Sequence, residues 1–241
     1  MIETKKNNII MIDGGGLDDA EHLEQVLKGK GGIVDRWYIT IAHKENFGAL
    51  EQIIKNGNIE IRNIYMSFNS KEWYEQNEPD RVQEIEEFSD LLNDGELKDI
   101  AQEIPYKYEI LVDDLYISAL KLKSPELESQ YLAEDQSMVI RVDNTYKSMI
   151  FMCSNTNTGA KAFKDDNLDL IDCDAVQISN NGKQNISDDF YQLMTPKYLF
   201  MNVTNLENAS VQNQYLQHLK ELLGAEQTFN SLDGDVNIRI W

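Results

Sequence analysis

Residues Ile9-Ile10-Met11-Ile12 run directly into Asp13-Gly14-Gly15-Gly16, and a helical pattern, Asp18-Asp19-Ala20-Glu21-His22-Leu23, follows at once. The same order returns at Ile33-Val34 and Trp37-Tyr38-Ile39, before the helical run Phe47-Gly48-Ala49-Leu50 to Ile54. Apolar runs without a polar face read as strands covered on both sides, and helices between such strands supply the cover. Strands are therefore expected near 8–13, 34–40 and 59–65, with helices near 18–29 and 47–56. Residues 71–104 break the rhythm. Trp73-Tyr74, Val82, Ile85, Phe88, Leu91 and Leu92 recur at helical spacing in a very acidic stretch, and Asn93-Asp94-Gly95 offers a stop. This stretch reads as one or two helices inserted between the halves. The second half is richer in strands, expected at 107–112, 115–122, 137–143, 147–153, 173–178 and 197–203. Helices are expected near 186–194 (Phe190-Leu193-Met194) and 209–223, with Gly224 as a stop. Residues 226–230 and 235–240 read as a closing hairpin turning at Asp233-Gly234, and 123–136 as a loop.

A chain of 241 residues fits one large domain and buries enough core to fold without a disulfide or a structural metal. The two cysteines, Cys153 and Cys173, lie in strand neighbourhoods and read as buried thiols in a reducing compartment. No apolar run approaches the roughly 18 residues of a membrane span, and the N-terminus carries no secretory pattern. A cytoplasmic location is the expectation. The net charge of −20, from 42 acidic and 22 basic residues, repels phosphate backbones and anionic membranes. It argues against a nucleic-acid ligand and suits a basic protein partner.

Thr40-Ile41-Ala42-His43-Lys44-Glu45-Asn46 follows a strand and opens a helix. It resembles the Thr-His-x-His-x-Asp-His motif of metallo-β-lactamase-fold hydrolases, with His43 kept, Ile41 and Asn46 in place of His, and Glu45 in place of Asp. Three further segments follow in order. Asp13 to Gly16 resembles the end of the family's first long strand. Lys147 to Ser154 looks like the strand that ends in Gly-Asp, with Cys153-Ser154 there instead. Asp174-Ala175-Val176-Gln177-Ile178-Ser179-Asn180-Asn181-Gly182-Lys183 is similar to Ala-Asp-x-Leu-x-x-Gly-His-His-Gly-Ser, with Asn180 and Asn181 for the two His. The branch it resembles is the hydrolase domain of DNA-uptake competence proteins and its freestanding relatives, whose mid-chain Asn-Ser-like segment Gln136-Ser137 echoes. The resemblance implies an α/β fold, an αββα sandwich of two mixed sheets flanked by helices.

It also implies where a site would lie: His43, Lys44, Glu45, Asn46, Ser154, Asn180, Asn181 and Lys183. Catalytic zinc takes about three ligands from His, Cys, Asp or Glu, and these positions retain His43 and Glu45 alone. Ile41 cannot bind a metal, and Asn or Ser are poor zinc ligands. His22 and His218 sit in expected helices away from the motif. The expectation is that these positions do not hold a dinuclear centre. Lys44 and Lys183 could supply the positive charge that metals would bring, and Glu45 could serve the start of the following helix. His43 is then a hydrogen-bonded remnant, and no residue is assigned a catalytic role.

The expectation is a pseudo-hydrolase without a cofactor, acting as a regulatory or structural component of a larger bacterial-type assembly. The alternative is a phosphodiesterase or nuclease working with one zinc or manganese, through His43, Glu45 and Asn181, or with Cys153 as a third ligand. A small-ligand sensor using the vacated cleft is a third reading.

Overall fold

The computed structural model describes residues 1–105, 107–120, 132–183, 186–203 and 209–234. Two compact units emerge, one formed by Met1–Pro105 with the short segment ending at Ala133, the other by the chain from Glu134 onward with the strands that precede 121.

In the first unit the strands are β1 (Ile2–Glu3), β2 (Ile9–Ile12), β3 (Ile33–Val34), β4 (Arg36–Ile39), β5 (Glu60–Ile61), β6 (Ile64–Met66) and β7 (Ala101–Glu103). The helices are α1 (Ala20–Gly29), α2 (Lys44–Asn56), α3 (Lys71–Asn77), α4 (Val82–Leu92) and α5 (Leu97–Ile100). The main sheet runs β1-β2-β4-β6-β7, parallel except for β1, and β3 with β5 forms a parallel ribbon. Trp37, Tyr38 and Ile39 are all fully buried, as a central parallel strand requires. Ile9, Met11, Trp37, Ile39 and Ile64 share one core with Leu27 of α1, Phe47, Leu50 and Ile53 of α2, and Phe88 and Leu92 of α4.

Helix α2 has a clear local cause. Phe47, Leu50 and Ile53 recur on one face, and Gly57 ends the helix in the left-handed region at φ 67°, donating to the Ile53 and Ile54 carbonyls. The 71–104 stretch is helical up to Ile100 and then becomes β7. That strand pairs Ala101 with Ile64 and Glu103 with Met66, so the stretch supplies an edge of the sheet as well as helices.

The second unit holds β8 (Tyr108–Val112), β9 (Leu115–Leu120), β10 (Val139–Asp143), β11 (Ser148–Phe151), β12 (Ala175–Gln177), β13 (Tyr198–Met201) and β14 (Gln227–Asn230). They form one mixed sheet in the order β14-β13-β12-β11-β10-β9-β8, antiparallel from β8 to β11 and parallel from β11 to β14. Helices α6 (Asn157–Asp166), α7 (Asp188–Met194) and α8 (Ala209–Leu223) belong to this unit. One face, Val139, Ile150, Val176 and Leu199, packs with Phe163 of α6, Phe190, Tyr191 and Met194 of α7, and Tyr215, Leu216 and Leu219 of α8.

The expected strands and helices of both halves are present among the described residues. The second strand of the expected hairpin (235–240) and most of the expected 123–136 loop lie outside them. Helix α6 was not expected, because its buried face is only Gly159, Ala160 and Phe163 amid Asn, Thr, Lys and Asp. Both cysteines are buried thiols that are not joined in a disulfide. Among the described residues no helix is long and apolar enough to cross a membrane.

Candidate functional site

In the first unit, β2 ends at Asp13, which turns into the glycine run with φ 52°. Three donors converge on its carboxylate. Thr40 gives its backbone N–H to Oδ1 at 2.8 Å and its hydroxyl to Oδ2 at 2.7 Å, and Asn46 donates Nδ2 to Oδ2 at 2.9 Å. The Asn46 carbonyl in turn accepts from Gly14 N–H at 2.9 Å. Asn46, at a position where the resemblance would place a metal His, instead ties the start of α2 to the end of β2. Packing there is close: a Cβ on Gly48 would lie 2.9 Å from the Leu17 nitrogen, so α2 sits directly against the 14–17 turn.

Burial pushes the Asp13 carboxyl up to about 6, against the lowering effect of Thr40, Asn46 and nearby His43. An acid whose folded pKa is raised stabilises the fold fully below its unfolded value, and that contribution is lost as pH rises through the folded one. Between about pH 4 and 7 the native protein should lose about 2 kcal/mol relative to Asp13→Asn, which does not titrate. Denaturant midpoints of both proteins at the two pH values measure it, and a constant difference would refute it.

His43 precedes the first turn of α2 in an extended conformation and is 6% exposed. Its Nε2 lies 3.1 Å from Glu78 Oε2, in the break between α3 and α4. The other Glu78 oxygen accepts from Ala133 N–H at 2.8 Å. Arg81 completes the cluster. Its Nη1 is 3.1 Å from Glu45 Oε2 and 3.0 Å from Glu84 Oε1, and its Nε is 3.6 Å from Glu78 Oε2. Burial alone would raise the Glu78 carboxyl. The His43 hydrogen bond, the Ala133 N–H and the charges of His43 and Arg81 outweigh it and hold it below the ordinary range. Glu45 follows the same logic: burial raises it, and Arg81 brings it below normal.

The other motif positions of this unit serve packing or the surface. Ile41 is 2% exposed and joins Ala42, Tyr74, Ile85 and Ala133 in an apolar cluster. Lys44 reaches along α2, with Nζ 3.7 Å from Glu51 Oε2. Of the expected residues here, His43 and Glu45 are brought to one cluster through Glu78 and Arg81, Asn46 belongs to Asp13, and Lys44 stands apart from both.

In the second unit, Cys153 has φ 53° and donates its N–H to Gln177 Oε1 at 2.8 Å. The Cys153 carbonyl accepts from Asn180 N–H at 2.7 Å, so the 153–155 turn and the 179–182 turn are joined. Ser154 is half-buried, with its N–H 3.4 Å from the Ser137 hydroxyl. Ser179 donates to the carbonyls of Cys153 and Asn155, and Asn155 donates to the Ser137 carbonyl at 2.7 Å. Asn180 and Asn181 are both left-handed, at φ 46° and 53°, and lead into Gly182 at φ 73°. Asparagine tolerates that region better than other residues with a Cβ, which is a conformational reason for Asn at both positions. The Asn181 carbonyl accepts from Gln212. Lys183 is exposed.

These residues do not fit a dinuclear metal centre. In the first unit, Ile41 is core, Asn46 is committed to Asp13, and a guanidinium already bridges Glu45, Glu78 and Glu84. In the second, Ser154, Asn180 and Asn181 are neutral and hold turns. His43 and Glu78 remain as one imidazole nitrogen and one carboxylate that a single ion could share.

Glu78 and Arg81 were not anticipated. Their only local signal is Pro79, which starts a new helical turn and leaves Glu78 at φ −138°, outside either helix.

No family model matches the chain, and no curated protein matches it. Among solved structures it is similar to the metallo-beta-lactamase fold protein YhfI from Bacillus subtilis, with a TM-score of 0.53 at 10% identity over 94% of this chain and 85% of that one. The chain has the metallo-β-lactamase fold. It is also similar to CmlA, a diiron beta-hydroxylase from Streptomyces venezuelae, with a TM-score of 0.51 at 10% identity. That match covers 83% of this chain and 44% of CmlA, so the chain spans less than half of that protein. The two mixed sheets with their helices agree with the expected α/β class.

Proposed function

We propose that this chain is a pseudo-hydrolase: a metallo-β-lactamase-fold protein that has given up the dinuclear centre and works by binding, as a regulatory or structural component. The observation that carries the reading is the state of His43. The one histidine retained in the motif is bonded to Glu78, and Glu78 and Glu45 are paired with Arg81. A metal-bound hydroxide at neutral pH needs a cation held by about three ligands with one position open. In the first unit His43 and Glu78 face each other, and Arg81 is paired with the carboxylates of Glu45 and Glu78.

The partner that suits the protein is basic. A net charge of −20 would steer such a partner and repel nucleic acid. The exposed acidic residues of 71–104, among them Glu72, Glu75, Asp80, Glu87, Asp90 and Asp94, are the first place to look for contact. A kinship with the freestanding relatives of competence-protein hydrolase domains rests on the four motif segments, and a cytoplasmic location goes with it.

A second reading has one observation in its favour. His43 Nε2 and Glu78 Oε2, 3.1 Å apart, could share one zinc or manganese in a hydrolase that holds its metal weakly. Turnover of a generic phosphodiester with added Mn²⁺ or Zn²⁺ separates the two. The pseudo-hydrolase gives the same rate as buffer with metal, and a rate abolished by His43→Ala would overturn it.

A further inference from the structure

Arg81 makes charged contacts with three carboxylates, and they come from three separate elements. Glu45 lies in the first turn of α2, Glu78 in the break after α3, and Glu84 in the first turn of α4. One planar cation therefore closes a ring of three carboxylates, one of them bonded to a buried imidazole. A guanidinium is suited to this, with five N–H donors in a rigid fork and a charge that no accessible pH removes. Without it, three acidic groups would face one another across a partly desolvated space, and like charges so placed favour uptake of a proton or a metal ion.

We propose that Arg81 is the resident cation of this cluster, and that it keeps divalent metal out. The inference rests on the metal-free reading of the site and adds the device that enforces it. Imidazole with carboxylates is a donor set for zinc or manganese. The guanidinium nitrogens stand 3.0–3.6 Å from the carboxylate oxygens, whereas metal–oxygen bonds are near 2.0–2.2 Å. The donors must therefore close in once the arginine is removed. Glu45 can do so, since its side chain is 71% exposed, while Glu78 and His43 are already held at 12% and 7%. Glu84, at 23%, lies one helical turn from Arg81 and is the adjustable fourth donor.

The test is calorimetric titration of Mn²⁺ and of Zn²⁺ into four proteins, with melting curves run in each metal. Wild type should show no stoichiometric binding. Arg81→Met, which keeps the apolar stem and loses the charge, should bind at least about tenfold more tightly than wild type and melt higher with metal than without. Arg81→Lys should behave as wild type, and Arg81→Met combined with His43→Ala should lose what the single variant gained. Arg81→Gln carries the same test should the Met variant not fold. No gain in either neutral variant, with wild type also silent, overturns the role of Arg81 and leaves the metal-free reading standing. Stoichiometric binding by wild type overturns that reading itself.

Discussion

Phe88→Ala should destabilise the protein by about 3–5 kcal/mol, the usual cost of emptying a fully buried aromatic site. Phe88 has no exposed surface and stacks on Phe47 of α2 with ring centroids 4.2 Å apart and planes 10° from parallel. Phe68 also lies against it, with ring centroids 6.2 Å apart and planes tilted by 41°. The stack adds about 0.5–1.5 kcal/mol to the burial of the ring, and a rigid sheet behind it limits collapse into the space. Against a total stability of about 5–15 kcal/mol, the loss would show as a large drop in the urea midpoint. A loss below about 1 kcal/mol, the range of ordinary surface changes, would mean that α4 is a peripheral helix laid on the unit and not part of its core.

Gly159→Ala should cost about 2 kcal/mol, where the same change in an ordinary helix gains about 1. Gly159 lies in the first turn of α6, and a Cβ there would stand 2.0 Å from Asn155 Oδ1 and 2.5 Å from the Asp135 carbonyl oxygen. The carbonyl belongs to backbone and cannot swing aside. Asn155 is fully buried and is fixed by its bond to the Ser137 carbonyl. The helix must therefore move off the 135–137 turn, and the Thr156–Asp135 bond goes with it. For a chain of this size the melting temperature should fall by about 4–8 °C. A higher melting temperature would show that this close approach does not exist.

These elements differ in how plainly the sequence encodes them. Strands such as Ile9–Ile12 and Trp37–Ile39 were legible because their residues are apolar without interruption, and α2 because its apolar residues repeat once per turn. The helical spacing of Ile85, Phe88 and Leu92 was legible too, and all three are buried. Their stretch still read as an insertion, since periodicity names a buried face and not what covers it. Helix α6 escaped because its three apolar residues, Ala160, Ala162 and Phe163, are confined to four consecutive positions and make no period. In α7 the pattern Phe190-Leu193-Met194 included Leu193, which is 46% exposed, and passed over the buried Tyr191.

The site divides in the same way. His43, Asn46, Asn180 and Asn181 stood out because each occupies a position of a known motif. What they do instead depends on partners far along the chain: Asn46 on Asp13, His43 on Glu78, Asn180 on the Cys153 carbonyl. Lys44 was a candidate for the missing positive charge; its Nζ lies near Glu51, and Arg81 is the cation beside Glu45 and Glu78. A helix start carries its lysine outward along its own face toward Glu51, whereas the turn at Pro79 aims an arginine inward. No local spacing encodes that difference.

The central claim, that the protein is built to work without a metal, is tested most directly by elemental analysis of protein purified without chelator or a histidine tag, counting zinc, manganese and iron per chain. The account predicts far less than one ion per chain, unchanged in His43→Ala. About one ion per chain, lost in that variant, would contradict it and make the protein a mononuclear metal-binding hydrolase candidate.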